Sequence, residues 1–136
     1  MQEQLKIFKI IHIALVAGLI FAYFFLGNLS DITQLKLPTI DSDNTVYLAI
    51  PIAAFIVSNL LFKMLVSKID SNLSLKEKLV PYQSASIVRY AIIEGSAFVI
   101  LILAPDFIIF GVLLIAYLIL LIPTEYRIKR DLKLLD

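Results

Sequence analysis

A chain of 136 residues is one domain by length, yet 60% of it is hydrophobic and its mean hydropathy is +0.93. Soluble domains are about 45–50% apolar, and a protein this small has too much surface for its volume to hide the excess, so the chain belongs in lipid. A net charge of +1 gives no electrostatic case for nucleic acid, and zero cysteines exclude a disulfide framework, a thiolate metal site and the quinone-linked thiol oxidases.

In chain order, MQEQLKIFK reads as a short, mildly basic leader to IIHIALVAGLIFAYFFL. That apolar run is too long for a signal peptide, and FAYFFLGNLS offers no A-x-A cleavage pattern. Residues 10–26 are therefore expected to form a first membrane span, with a start as early as Ile7. Ala14, Gly18 and Ala22 recur every four residues, a small-residue stripe that lets another helix backbone approach closely. Residues 27–45 are polar, with Asp31, Pro38, Asp41 and Asp43, and read as an exposed loop. Asp41-Ser-Asp43 opens like a calcium loop, but Val46 stands at its glycine position and Ile52 at its twelfth, so the motif fails. Asp43, Asn44 or Thr45 is expected to cap the next helix instead.

Residues 46–66 form the second expected span, with Pro51 near its first turn, where a missing N–H matters little. The chain then turns polar and basic. Ser74-Leu-Lys-Glu77 spells a capping box and starts a helix there, and Pro81 either opens the third span or kinks one long helix. The third span, residues 85–104, ends at Ala104-Pro105-Asp106, and the fourth, residues 107–122, begins at once. So short a turn implies a tight antiparallel hairpin, with Asp106 as the expected N-cap. Residues 124–136 place Ile128, Leu132 and Leu135 at helical spacing among basic residues, as an amphipathic segment on the membrane surface.

Lysine and arginine are spread unevenly. The leader holds Lys6 and Lys9; Lys63, Lys68, Lys76, Lys78 and Arg89 surround the second connection; Arg127, Lys129, Arg130 and Lys133 lie in the tail. Lys36 alone is in the first loop, so eleven of the twelve basic residues collect on one side. The positive-inside rule puts both termini in the cytoplasm, with Tyr23 and Tyr47 at the outer interface and Tyr82 and Tyr126 at the inner one.

The third span also carries Arg89 and Glu94. An acidic residue at the centre of a membrane helix costs roughly 2.5–3.5 kcal/mol. The two side chains are about 140° apart round the helix and do not pair. Arg89, about one turn from the edge, is expected to snorkel to the headgroups. Glu94 lies roughly 13 Å in, beside the small pair Ala91 and Gly95, and should face protein or water. Depth makes Asn59, roughly 10 Å in, and Tyr117, roughly 8 Å in, its candidate partners, with His12 shallower. All five polar groups occupy one half of the membrane, which weighs against a path across it. One histidine cannot supply bis-imidazole haem ligation.

Tyr82, Ala85, Ile87, Arg89, Ala91, Glu94 and Gly95, with the Pro123-Thr124 helix end and the basic tail, carry a family resemblance. The chain resembles small uncharacterised four-helix bacterial inner-membrane proteins, mostly over its second half. That resemblance implies a fold and a location and brings no activity. Subunit c of rotary ATPases fits less well, since it packs on glycine-rich repeats and this chain scatters four glycines. The small multidrug exporters carry their carboxylate in the first helix, not the third.

The expected fold is all-α, an antiparallel four-helix transmembrane bundle of the inner membrane with both termini cytoplasmic. No catalytic residues, metal site or cofactor are expected, and no nucleic-acid partner. The leading expectation is a non-catalytic accessory or assembly protein acting through helix–helix contacts with a membrane-protein partner or further copies of itself. The alternative is a small proton-coupled transporter or channel, oligomeric around Glu94. A reporter fused after Asp136 should read cytoplasmic and one inserted near Asp41 external; the reverse pattern would overturn the charge count.

Overall fold

No proline precedes Pro38, and the first residues are good helix formers, so the chain turns helical almost at once. In the computed structural model, which describes residues 1–134, α1 runs Gln2–Leu26. The expected leader is its first two turns, with Glu3 at the positive end of the helix dipole. Leu135 and Asp136, assigned above to the tail, lie outside the described residues. The reversal after α1 uses Asn28 at φ 53°, a left-handed conformation that asparagine tolerates.

In the first connection Asp31 accepts hydrogen bonds from the backbone N–H and hydroxyl of Thr33, which hold its carboxyl below the usual carboxylate range. The expected cap at residues 43–45 does not form. Asp41 accepts from the N–H groups of Asp43 and Asn44 instead, because a carboxylate two or three residues back reaches both donors. A 3-10 segment, Thr45–Leu48, leads into α2, Ala49–Ser67, with Pro51 in its first turn.

The capping box forms as spelled: Ser74 N–H donates to Glu77 Oε2 at 2.7 Å and Glu77 N–H to Ser74 Oγ at 3.2 Å. From it α3 runs unbroken over Leu75–Leu103, with Pro81 inside, roughly 43 Å of helix. Ala104 and Pro105 end it, and a 3-10 turn, Pro105–Phe107, leads to α4, Ile108–Leu120. Asp106 sits exposed within that turn and caps nothing, since the N-cap of α4 falls on Phe107. The last helix, α5, Glu125–Asp131, is capped by Thr124, which accepts from Arg127 N–H at 3.1 Å.

The fold is all-α, with five α-helices and no strand among the described residues. α1, α2 with its 3-10 lead, and α3 are each long and apolar enough to cross a membrane. α4 reaches that standard only together with α5, from which it is bent by 92°. Helix α3 is the hub, packing on α1, α2 and α4. α1 runs parallel to it: Phe8 meets Tyr82 and Tyr90, and Tyr23 meets Ala97. The outward faces are oily, with Ile10, Phe21, Phe25, Ile52, Leu60 and Leu113 exposed, as lipid contact would require.

Small residues are arranged otherwise than the stripe suggested. Ala14 and Gly18 are exposed, Ala22 is half-buried, and a Cβ on Gly18 or Gly95 would meet nothing within 4 Å. Within the chain the close approaches are at Gly27, where an added Cβ would fall 2.6 Å from Tyr23 O and Ile108 Cδ1, and at Gly111, where it would fall 1.8 Å from the Tyr23 hydroxyl. Tyr23 is wholly buried, donating to Ala97 O at 2.5 Å, so it is no interfacial belt residue. Gly111→Ala should therefore destabilise the fold by about 1–3 kcal/mol, by displacing a rigid ring and stranding its hydroxyl. Gly18→Ala should be neutral or gain up to about 1 kcal/mol of helix propensity. Denaturant unfolding in micelles measures both, and equal losses would contradict the Tyr23–Gly111 packing.

Candidate functional site

The C-terminal carbonyls of any helix lack ordinary α-helical partners; at the end of α4 Leu121 and Ile122 N–H donate to Leu118 O and Ile119 O, and side chains from elsewhere add further donors. His12 Nε2 lies 2.6 Å from Leu118 O; a carbonyl only accepts, so this nitrogen carries the proton. Tyr90 donates to Leu121 O at 3.0 Å, and Arg127 Nη2 to Leu120 O at 2.8 Å. The His12 and Tyr90 rings lie edge to face, 5.0 Å apart. Three donors, from α1, α3 and α5, thus converge on one helix end.

Beside this junction lies a cavity of about 970 Å³ between α2, the start of α3, the end of α4, and α5. Asn59 and Tyr117 stand on its wall, hydrogen-bonded to each other at 2.9 Å. Tyr82, buried rather than interfacial, donates to Asp131 Oδ2 at 2.7 Å and pins α5 against the start of α3. The tail is therefore not simply spread on a membrane surface: Ile128 is fully buried and the segment folds over the end of the helices.

Arg89 does not reach outward. It is 5% exposed, with its Cζ 3.6 Å over the Phe62 ring centroid, and it lines the cavity. Its Nε and Nη2 have no hydrogen-bond partner, nor do Ser86 Oγ and His12 Nδ1. A snorkelling guanidinium would lie at the headgroups; this one turns inward onto Phe62, on the wall of the cavity it shares with α5.

No protein-family model matches the chain, and no curated protein or solved structure is similar to it.

Of the five polar residues singled out from sequence, Asn59, Arg89, Tyr117 and His12 gather at the basic end of the molecule, three of them on the cavity wall. Glu94 stands apart. It is partly exposed, and Asn59 and Tyr117, its expected partners, satisfy each other instead. Ala91 and Gly95 beside it are exposed. Among the described residues no group of three or more His, Asp or Glu side chains is placed to hold a metal ion.

Sequence reading passed over Tyr90, Phe62, Lys78 and Asp131. A signal for part of this exists: Lys78, Tyr82, Ser86 and Arg89 recur at intervals of four, four and three, one helical face, and all four are buried. Removing a donor from the α4 terminus should be felt. Tyr90→Phe should destabilise the protein by about 0.6–2 kcal/mol, while Tyr126→Phe, on an exposed ring, should change nothing measurable. Thermal unfolding in detergent compares them.

Proposed function

We infer that this chain is a non-catalytic, multi-pass protein of a bacterial inner membrane, a four-helix transmembrane bundle with both termini cytoplasmic. It works through helix–helix contacts, as an accessory or assembly subunit bound to another membrane protein or to further copies of itself. The observation that carries the reading is the outer face of α3. Glu94 is partly exposed there and makes no hydrogen bond or ion pair among the described residues, and exposed Ala91 and Gly95 flank it. Left against lipid, such a carboxylate costs roughly 2.5–3.5 kcal/mol. A partner helix seated on the small residues would shield it and supply a hydrogen bond. Ala14 and Gly18 give α1 a second face of the same kind. Eleven of the twelve basic residues on one side support the orientation, and the resemblance of the second half supports the location.

A second reading, an oligomeric proton-coupled transporter or channel, draws on the same carboxylate, because an unpaired, partly open glutamate can take up and release a proton. Two substitutions separate the readings. Glu94→Gln and Glu94→Leu should both fold as well as wild type, since Glu94 holds nothing together inside the chain. Gln keeps a donor and an acceptor and should retain the partner. Leu should weaken co-purification or self-association by about tenfold, the worth of one hydrogen bond between membrane helices. Undiminished association in the Leu variant would refute the contact reading. Loss of pH-driven liposome flux in a Gln variant that still associates would favour the transporter.

A further inference from the structure

Arginine stays charged at any physiological pH, yet Arg89 is 5% exposed and two of its nitrogens are unpartnered. Those two are Nε and Nη2, whose N–H bonds run parallel along one edge of the guanidinium. That edge grips two oxygens of a single anion. The Phe62 ring offsets part of the charge from the face, but it offers no acceptor in the guanidinium plane. Asp131 is the one carboxylate on the cavity wall among the described residues. Its oxygens are engaged by Tyr82 at 2.7 Å and Arg130 at 3.2 Å, and no ion pair joins it to Arg89. Lys63, Lys78, Arg127, Arg130 and Lys133 line the same cavity, so six cations face one acid. A buried cation without a counter-charge is strongly destabilising, and an anion entering this space would relieve it.

We propose that the cavity over Arg89 is a binding site for a phosphate-bearing ligand, whose phosphate docks on the Nε–Nη2 edge. A tetrahedral phosphate has oxygens left over for Lys78 and Lys63 after Arg89 has taken two, which a carboxylate has not. Val66, Leu120 and Leu121 give the cavity an apolar wall for the rest of the molecule, and about 970 Å³ accommodates a small organic phosphate or a lipid headgroup with the start of its chains. The phosphate has two possible sources, an anionic phospholipid of the leaflet facing the basic end or a soluble phosphate compound. The site is independent of the Glu94 face, which lies about 140° away round α3.

The test uses the full chain, purified in a neutral, phosphate-free detergent and stripped of lipid. It is titrated separately with inorganic phosphate, with phosphatidylglycerol and with diacylglycerol, which lacks the phosphate. Melting temperature and native mass spectrometry read binding. A saturable rise in melting temperature with phosphatidylglycerol alone assigns a lipid headgroup; saturation by inorganic phosphate, with no further gain from the lipid, assigns a soluble ligand. Arg89→Gln should lower the affinity by at least about tenfold, and Arg89→Lys should lower it too, because an ammonium lacks the parallel N–H pair. Should the Arg89 variants fail to fold, the double variant Lys63→Gln/Lys133→Gln, altered at exposed rim positions, should fold and bind severalfold more weakly. No saturable response to either phosphate probe, a response to diacylglycerol equal to that of phosphatidylglycerol, or unchanged affinity in the variants that fold would overturn the proposal.

Discussion

Helix α4 is short, and its C-terminal end is where α1, α3 and α5 are tied to it. Thirteen residues span roughly 20 Å, against about 30 Å for a bilayer's hydrocarbon core. Its last turn tightens so that Leu121 and Ile122 N–H donate to Leu118 O and Ile119 O. His12, Tyr90 and Arg127 add side-chain donors to Leu118 O, Leu121 O and Leu120 O, each from a different helix. These bonds fix the height of α1 against α4, the rotation of α3, and the fold of α5 back over the end. Packing alone would leave α1 and α3 free to slide on apolar faces that match at many registers.

The hub helix has two polar characters on two sides. Inward, Tyr82 and Tyr90 spend their hydroxyls on Asp131 and Leu121 O, while the Arg89 edge and Ser86 Oγ are left without partners. Outward, Glu94 lies with Ala91 and Gly95 where nothing in the chain covers it. A helix that must pack on three neighbours has one face left over, and the carboxylate borders that face. Burial inside would have demanded a partner from α2 or α4, and the hydrogen-bonding groups there, Asn59 and Tyr117, are committed to one another.

Local features were legible in the sequence. The capping box at Ser74 and Glu77 depends on four consecutive residues and forms as read. The membrane-compatible helices depend on runs of apolar residues, which composition displays directly. What could not be read is azimuth. Depth along a helix follows from counting, which puts Asn59 and Tyr117 at similar levels, and the two do meet, but counting does not say which neighbour a side chain turns to. Tyr23 shows the same gap: its position near a helix end suggests an interfacial ring, while the hollow left by Gly111, far along the chain, draws it inside. Arg89 turns inward onto Phe62, on the wall of the cavity it shares with α5, and that segment is coded some forty residues later.

The bond between His12 and Leu118 joins residues 106 positions apart, and this bears on how the protein is made. The first helix leaves the ribosome long before its hydrogen-bond acceptor exists. Arg127 comes later still. Until then α1 is held by its own backbone bonds and by its packing on α3. The three donors gather at the end of α4 only once the beginning of the chain lies against it and the tail folds back. The His12 and Arg127 bonds can therefore form only near the end of synthesis, when both ends of the chain are present.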